Sequence, residues 1–255
     1  MGNHIGRVAI VTGAASGIGK ATVEAIVAGG GSVVAVDRVE LPIFEVDDQL
    51  RVATAVGDVR SASDNLAWVA LAEERFGRLD GIALNAGIPK SGDILTLPME
   101  QLDEVLDVNV RAVVLGIRAA VPAMKRLGGG SIVVTASTSG LGGDTNMWPY
   151  NTSKGAVINL VRGLSLDLGT DAIRINAVCP GPTETGMTTG IKSIPAIYDG
   201  LQARISLGRW GKASEVAAAI SFLLSTEASF ITGVALPVDG GLTAGTGQFF
   251  PKQKN

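Results

Sequence analysis

The sequence predicts an α/β fold: a doubly wound, three-layer α/β/α sandwich around a central, mostly parallel seven-stranded sheet. Three features of the 255-residue chain predict it. Short runs rich in Val, Ile and Ala recur along its length without polar alternation, as strands buried on both faces require. Helix-compatible stretches separate these runs, so that successive strands cross over and pair in parallel. Glycine is abundant at 34 residues and aromatics make up only 4 %, which suits an aliphatic core with closely approaching backbones.

Composition excludes several classes of function. Net charge is −3 and no basic run exceeds two residues, so nucleic-acid or anionic-membrane binding has no electrostatic footprint. Cys179 is the single cysteine and His4 the single histidine. An internal disulfide, a metal site built on thiolates or histidines, and Ser-His-acid catalysis are thereby excluded. Cys179, which precedes Pro180 after an apolar run, reads as a small core residue, and His4 lies in the N-terminal leader. The N-terminus lacks a signal-peptide pattern and no apolar run reaches membrane-spanning length, so a soluble, cytoplasmic protein is expected.

Taken in order, Val8–Val11 is the first buried strand. It runs into Thr12-Gly13-Ala14-Ala15-Ser16-Gly17-Ile18-Gly19 and an amphipathic helix, Lys20 to Ala28, stopped by Gly29–Gly31. Ser32–Val36 is the second strand, closed by Asp37. Strand, glycine turn, helix, strand and acid form the first half of a dinucleotide-binding unit. Gly13 permits the tight turn, Gly17 the approach of backbone to a pyrophosphate, and Gly19 the packing of helix on sheet. Free N–H groups at the helix start, around Ser16 and Ile18, face the phosphates. Asp37, eighteen positions beyond Gly19, suits the adenosine ribose hydroxyls and would repel a 2′-phosphate. NAD is therefore favoured over NADP, although Arg38 beside it would tolerate a phosphate or stack on adenine.

From Val39 to Gln49 an irregular crossover is expected. Arg51–Val56 is the third strand, followed by Gly57, Asp58 and Val59. Ser63–Phe76 is a capped amphipathic helix ending at Gly77. Gly81–Leu84 is the fourth strand, with Asn85-Ala86-Gly87 at its carboxyl end, the ligand side of an open α/β sheet. Met99 to Met124 reads as one long helix carrying Asn109, a poor interior helix residue, among valines that imply burial. Ser131–Ala136 is the fifth strand and Ser137 stands at its end.

Pro149 suits a first helical turn, and a helix is expected over Tyr150–Leu168. Tyr150 and Lys154 then share one face, where an ammonium beside a phenol favours the phenolate and lowers the tyrosine pKa. Ala172–Val178 is the sixth strand and leads into Cys179–Met187. From about 183 to 210 no strong period is found; so long a segment reads as a functional lid. Ser214–Leu224 is a further helix, Val234–Val238 the last strand, and the tail from Gln248 to Asn255 is expected at the surface. No linker interrupts the alternation, so one domain, 1–255, is expected.

In these residues the chain resembles the short-chain dehydrogenase/reductases, single-domain Rossmann-like enzymes, from Val8 to Gly241. Thr12-Gly13-x-x-x-Gly17-x-Gly19 is similar to the family's cofactor turn, and Asn85-Ala86-Gly87 to its strand end. Asn109, Ser137, Tyr150 and Lys154 fall at its catalytic spacings, and Pro180-Gly181-x-x-x-Thr185 resembles its nicotinamide segment. Leu84 and Ala136 depart from it, standing where the family often has Asn and Ser. The resemblance implies an NAD-dependent oxidoreductase acting on a secondary alcohol or its ketone, with Tyr150 as general acid/base.

By the same resemblance Ser137 would bond the substrate oxygen and Lys154 the nicotinamide ribose, while Asn109 would order a water relaying protons from Lys154. Asp58 and Val59 would contact adenine, and Thr183 and Thr185 the carboxamide. Substrate-side candidates are Ser137, Ser139, Met147, Tyr150 and the lid after Met187. Leu141, Met147 and Trp148 suggest an apolar substrate, whereas Asp144 and Asn146 suit a polyol or sugar. A homotetramer through the helices Met99–Met124 and Tyr150–Leu168 is implied. The alternatives are an NADP-linked ketoacyl or quinone-type reductase, and an NAD-binding regulator without turnover.

Overall fold

The computed structural model describes residues 3–245; the expected surface tail, 248–255, lies outside them. Seven strands form one sheet: β1 (Val8–Thr12), β2 (Ser32–Asp37), β3 (Val52–Val56), β4 (Gly81–Leu84), β5 (Gly130–Thr135), β6 (Ile173–Pro180) and β9 (Ala235–Val238). Their order is β3-β2-β1-β4-β5-β6-β9, and every neighbouring pair is parallel. This is the predicted doubly wound, Rossmann-like sheet, with its order reversing direction beside β1. The first two crossovers run outward from β1 to the β3 edge, and the chain then returns to β4 on the other side.

Side-chain alternation divides the core between the two faces. Val8, Ile10, Ile82, Leu84, Ile132 and Val134 point to one face. There they meet Trp68 and Val69 of α2 (Ala62–Phe76), Val113 and Ile117 of α4 (Ala112–Leu127), and Val157, Ile158 and Val161 of α5 (Trp148–Leu168). Ala9, Val11, Val33, Ala83 and Val133 point to the other. That face is covered by Val23 and Ile26 of α1 (Gly17–Ala28) and by Val216, Ile220 and Leu223 of α8 (Ala213–Leu224). Strands sandwiched in this way have no wet face, which is why their sequences are uninterrupted apolar runs.

Three expectations are corrected in detail. The helix expected from Met99 to Met124 is in three parts: α3 (Met99–Leu106), a π-helical turn over Asp107–Arg111, and α4 running on to Leu127. The wide turn holds Asn109, and its one-residue shift of helical register is too brief for the apolar pattern alone to mark it. The segment from 183 to 210 is not irregular throughout. It contains β7 (Thr183–Glu184), α6 (Thr189–Lys192) and α7 (Pro195–Arg204), and β7 pairs with β8 (Gly211–Lys212) beyond it. Its helices escape a periodicity reading because α7 buries no residue fully. The cap of α2 is Ser61, whose Oγ accepts the Asp64 N–H, rather than Ser63.

The crossover between β2 and β3 is irregular as expected, with a single 3-10 turn over Gln49–Arg51. Phe44, 3 % exposed, packs from it into the α1-side core. A single aromatic thus covers sheet that a helix would otherwise cover. Among the described residues no helix is long and apolar enough to cross a membrane.

Candidate active site

After β1 the backbone turns through Gly13 and Gly17, both at positive φ (68° and 54°), where a side chain is strained. A Cβ on Gly19 would overlap the Gly13 carbonyl oxygen, so only glycine lets α1 start this close to the turn. The Ser16 side chain caps nothing, and the first turn of α1 carries no acidic residue. Its N–H groups and positive dipole end are therefore available to an anion. Ile18 packs behind them against the core.

Asp37 ends β2 and holds this turn in place. One carboxylate oxygen accepts the Ala15 N–H at 3.0 Å and the other its neighbour's Arg38 N–H at 2.7 Å. Arg38 is exposed. The side-chain hydrogen bond from Arg60 holds the Asp58 carboxyl below its usual range against the opposing effect of burial, and the Arg38 charge adds a small push the same way. Asp58 is gripped by Arg60 Nε and Nη2 at 3.0 and 2.6 Å, and Val59 leans on the core.

Asn85, Ala86 and Gly87 join the ends of three strands. Thr12 Oγ1 accepts the N–H groups of Asn85 (2.9 Å) and Ala86 (3.1 Å). Asn85 Nδ2 donates to the Thr12 carbonyl at 3.1 Å, and its Oδ1 accepts Thr135 Oγ1 at 3.1 Å. The Asn85 side chain is thus a clamp across β1, β4 and β5. In the sequence Thr12 reads only as the first residue of the glycine motif and Thr135 only as part of its strand; the further signal is their position as polar residues closing apolar strands.

The four catalytic candidates come from three places, the π turn (Asn109), the end of β5 (Ser137) and α5 (Tyr150 and Lys154), that meet at this end of the sheet. Asn109, 1 % exposed, projects from the π turn. Its Nδ2 donates to the Ile88 carbonyl and to Ser153 Oγ, both at 3.0 Å, and its Oδ1 accepts the Ile88 N–H at 2.9 Å. Ser153 Oγ in turn donates to the Tyr150 carbonyl at 2.8 Å, tying Asn109 to the first turn of α5. Ser153 was also missed, since a small polar residue inside a helix carries no distinctive pattern.

Lys154 is 4 % exposed; its Nζ donates to the Thr135 carbonyl at 2.8 Å and lies 5.5 Å from the Tyr150 ring centre. Burial lowers its pKa to about 8. The expected lowering of the Tyr150 pKa is corrected: burial pushes the phenol up, a hydrogen bond with Ser137 pulls it down, and the Asp144 charge pushes it up again. The lysine has lost much of its charge before a phenol ionises, so it cannot supply the expected stabilisation from the protein's own groups alone.

Ser137, at the end of β5, donates to Ser139 Oγ and accepts the Ser139 N–H, both at 3.1 Å. Met147 sits half-buried at the start of α5, and Met187 is 52 % exposed on the turn after β7. Pro180 closes β6 and Thr183 is buried on β7. Thr185 approaches the glycine turn: a Cβ on Gly17 would lie 3.3 Å from its side chain. The lid base thus stands beside the glycine turn at the carboxyl end of the strands, and among the described residues no His, Cys, Asp and Glu side chains gather to hold a metal.

Comparison with known proteins agrees with this architecture. A family model described as Enoyl-(Acyl carrier protein) reductase matches residues 13–243. The chain is 38 % identical to meso-2,3-butanediol dehydrogenase of Serratia marcescens, over 95 % of this chain and 96 % of that one. It is 40 % identical to 2-(R)-hydroxypropyl-CoM dehydrogenase of Xanthobacter autotrophicus, over 93 % and 99 %. Among solved structures, the 3-ketoacyl-(acyl-carrier-protein) reductase of Brucella melitensis, complexed with NADH, superposes with a TM-score of 0.86 at 33 % identity, covering 94 % of this chain and 99 % of that one. The aldohexose dehydrogenase of Thermoplasma acidophilum gives 0.88 at 31 %, covering 98 % of each chain. Sheet order, glycine turn and these matches together establish that the chain belongs to the short-chain dehydrogenase/reductase family, whose oxidoreductases use a nicotinamide cofactor.

Proposed function

We propose that the protein is an NAD(H)-dependent dehydrogenase that interconverts a secondary alcohol and its ketone, with Tyr150 as general acid/base. The observation that carries this reading is the convergence of Ser137, Tyr150, Lys154 and Asn109 beside an open helix N-terminus. Bound nicotinamide supplies or accepts the hydride. The chain's own groups manage the proton and the orientation. Tyr150 O–H donates to the ketone oxygen in reduction, and the phenolate takes the alcohol proton in oxidation. Ser137 supports the charge that develops on that oxygen, Lys154 bonds the ribose, and Asn109 with Ser153 fixes the first turn of α5. The relatives' names support the substrate class, since butanediol, hydroxypropyl-CoM and trans-4-hydroxycyclohexanecarboxylate are all secondary alcohols.

NAD is preferred because Asp37 presents a carboxylate beside the glycine turn, and no basic residue within that turn offsets it. We further infer a homotetramer built on α4 and α5, which light scattering of the purified protein tests. Initial rates with a panel of cyclic, aromatic, polyol and sterol alcohols, each with NAD and NADP, test the reaction. Tyr150→Phe is expected to remove turnover, by a factor of about 10³ or more, while leaving NAD affinity within about twofold. Retained turnover would overturn the role given to Tyr150.

A further inference from the structure

Asp144 lies in the loop between β5 and α5, outside the four catalytic candidates. The loop is held at several points. Asn151 Nδ2 donates to the Asp144 carbonyl at 2.9 Å, Met147 N–H to the same oxygen at 3.2 Å, and Gly92 N–H to the Asn146 carbonyl at 2.8 Å. The Asp144 carboxylate is therefore presented from a fixed backbone rather than a free loop tip.

Its Oδ2 accepts Ser139 Oγ at 2.5 Å, and Ser139 Oγ accepts Ser137 Oγ at 3.1 Å. An ionised carboxylate can only accept, which sets the direction of the whole chain. Ser139 must give its proton to Asp144, and Ser137 then gives its proton to Ser139. While Tyr150 keeps its own proton, the Ser137 hydroxyl is thus directed to Ser139, and it serves the reacting position only when that bond is broken. Among the described residues, Asp144 Oδ1 accepts no hydrogen bond and no Lys or Arg pairs with the carboxylate, which is open to solvent. An acceptor two hydrogen bonds from the catalytic serine stands ready for a donor from outside the protein.

We propose that Asp144 accepts a second hydroxyl of the substrate, so that the preferred substrates are neutral vicinal diols and α-hydroxy ketones. This rests on the alcohol–ketone reading above and narrows it. A hydroxyl on the carbon next to the reacting one donates to the free Oδ1 of Asp144, draws on the charge that Oδ2 offers Ser139 and so loosens Ser139 from the carboxylate. Ser139 then turns its proton to Ser137, and Ser137 turns its own to the reacting oxygen. No proton is gained or lost; the chain reverses its direction. A substrate lacking the second hydroxyl must break the Ser137–Ser139 bond without that replacement. A carboxylate in the same place meets like charge, which already acts on Tyr150, so 2-oxo acids are poor substrates.

The test is kcat and KM for 2,3-butanediol against 2-butanol in the wild type, Asp144→Ala, Asp144→Glu and Ser139→Ala. The wild type is expected to prefer the diol by about tenfold or more in kcat/KM, because a site built to bond a hydroxyl rejects the analogue lacking it. Asp144→Ala is expected to reduce that ratio to about two, and Asp144→Glu to restore part of it. Ser139→Ala is expected to keep the preference in KM and lose it in kcat, a split that a merely structural role for the loop would not produce. Equal use of the two alcohols by the wild type overturns the proposal, as does an unchanged ratio in Asp144→Ala. Turnover of neither alcohol by a wild type that oxidises another alcohol of the panel above overturns the diol proposal alone, and silence across the whole panel removes the dehydrogenase reading, and the proposal with it.

Discussion

Lys154 Nζ lies 5.5 Å from the centre of the Tyr150 ring and gives its hydrogen bond to the Thr135 carbonyl, 2.8 Å away. The helix spacing brings the two side chains to one face, but the partner of the ammonium is the end of β5. Burying that ammonium costs stability, and the cost appears as a pKa lowered from 10.5 to about 8.

The first prediction follows from this cost. Between pH 8 and 10.5 the unfolded chain binds a proton at this lysine that the folded chain has released. Stability contributed by this group therefore rises with pH through that window, and below pH 8 the full penalty of about 3 kcal/mol is present. Lys154→Met removes the penalty but leaves the Thr135 carbonyl unpaired, which costs about 1 kcal/mol. The variant is expected to be inactive yet more stable at pH 7 by about 2 kcal/mol, with the gain shrinking towards pH 10. Urea unfolding at the two pH values checks it, and a variant less stable than the wild type at pH 7 would contradict the assignment.

Gly87 supplies a second prediction. A Cβ there would lie 3.2 Å from Asn109 Oδ1 and 3.3 Å from Lys154 Nζ. Its φ is not in the left-handed region, so alanine fits the backbone. The added methyl occupies the space between amide and ammonium, excludes water from it and lowers the Lys154 pKa further. Gly87→Ala is expected to fold, to lose about tenfold in kcat, and to lose its remaining activity at lower pH than the wild type. Rates from pH 6 to 10 decide it, and a profile that overlays the wild type would show that the gap carries no proton.

How much of this was legible in the sequence depends on the range of the interaction. The strands were readable because both faces are buried, leaving Val8–Thr12 or Ser32–Asp37 almost without polar side chains. The glycine turn was readable because Gly19 answers a local steric demand, set by an oxygen six residues away. Asn109 was singled out as anomalous, but the π turn around it was not, since a one-residue shift of register within a run of valines leaves apolar residues on the buried face either way. Partners fixed only by tertiary folding stayed hidden. Lys154 with Thr135, Asn109 with Ser153 and Ser139 with Asp144 are pairs between segments, or across a loop, that no period connects. Phe44, which covers sheet where a crossover helix would lie, likewise stands among other apolar residues, Leu41, Ile43 and Val46, in a segment without a period.

Asp37 carries the third prediction. Its two oxygens hold the Ala15 and Arg38 N–H groups, so it shapes the glycine turn as well as presenting charge. Asp37→Ala is expected to weaken NAD binding about tenfold, a loss of roughly 1.4 kcal/mol. With the carboxylate gone and Arg38 retained, NADP affinity is expected to rise relative to NAD. Parallel titrations of the two cofactors against wild type and variant measure the ratio, and tighter NADP than NAD binding by the wild type would reverse the reading of this position.

His4 gives the last prediction. The segment in which it stands is folded against the C-terminal ends of α1 and α8, with the His4 N–H donating to the Gly29 carbonyl at 3.0 Å and the ring bonded to Ser221 Oγ at 2.8 Å. Only 2 % of the residue is exposed, and burial first, then the nearby Arg7 charge, lowers its pKa below 6.5 against smaller opposing effects of Ser221 and Glu227. The folded protein thus keeps the ring neutral while the unfolded chain protonates it. The stability that depends on this is complete above about pH 6.5 and is lost as pH falls towards the folded value. Glutamine can bond Ser221 without titrating, so His4→Gln is expected to lose less stability than the wild type between pH 7 and 5. Carboxylates common to both proteins cancel in the difference. Denaturant midpoints measured side by side at the two pH values test it, and equal losses would mean that His4 protonates without leaving Ser221.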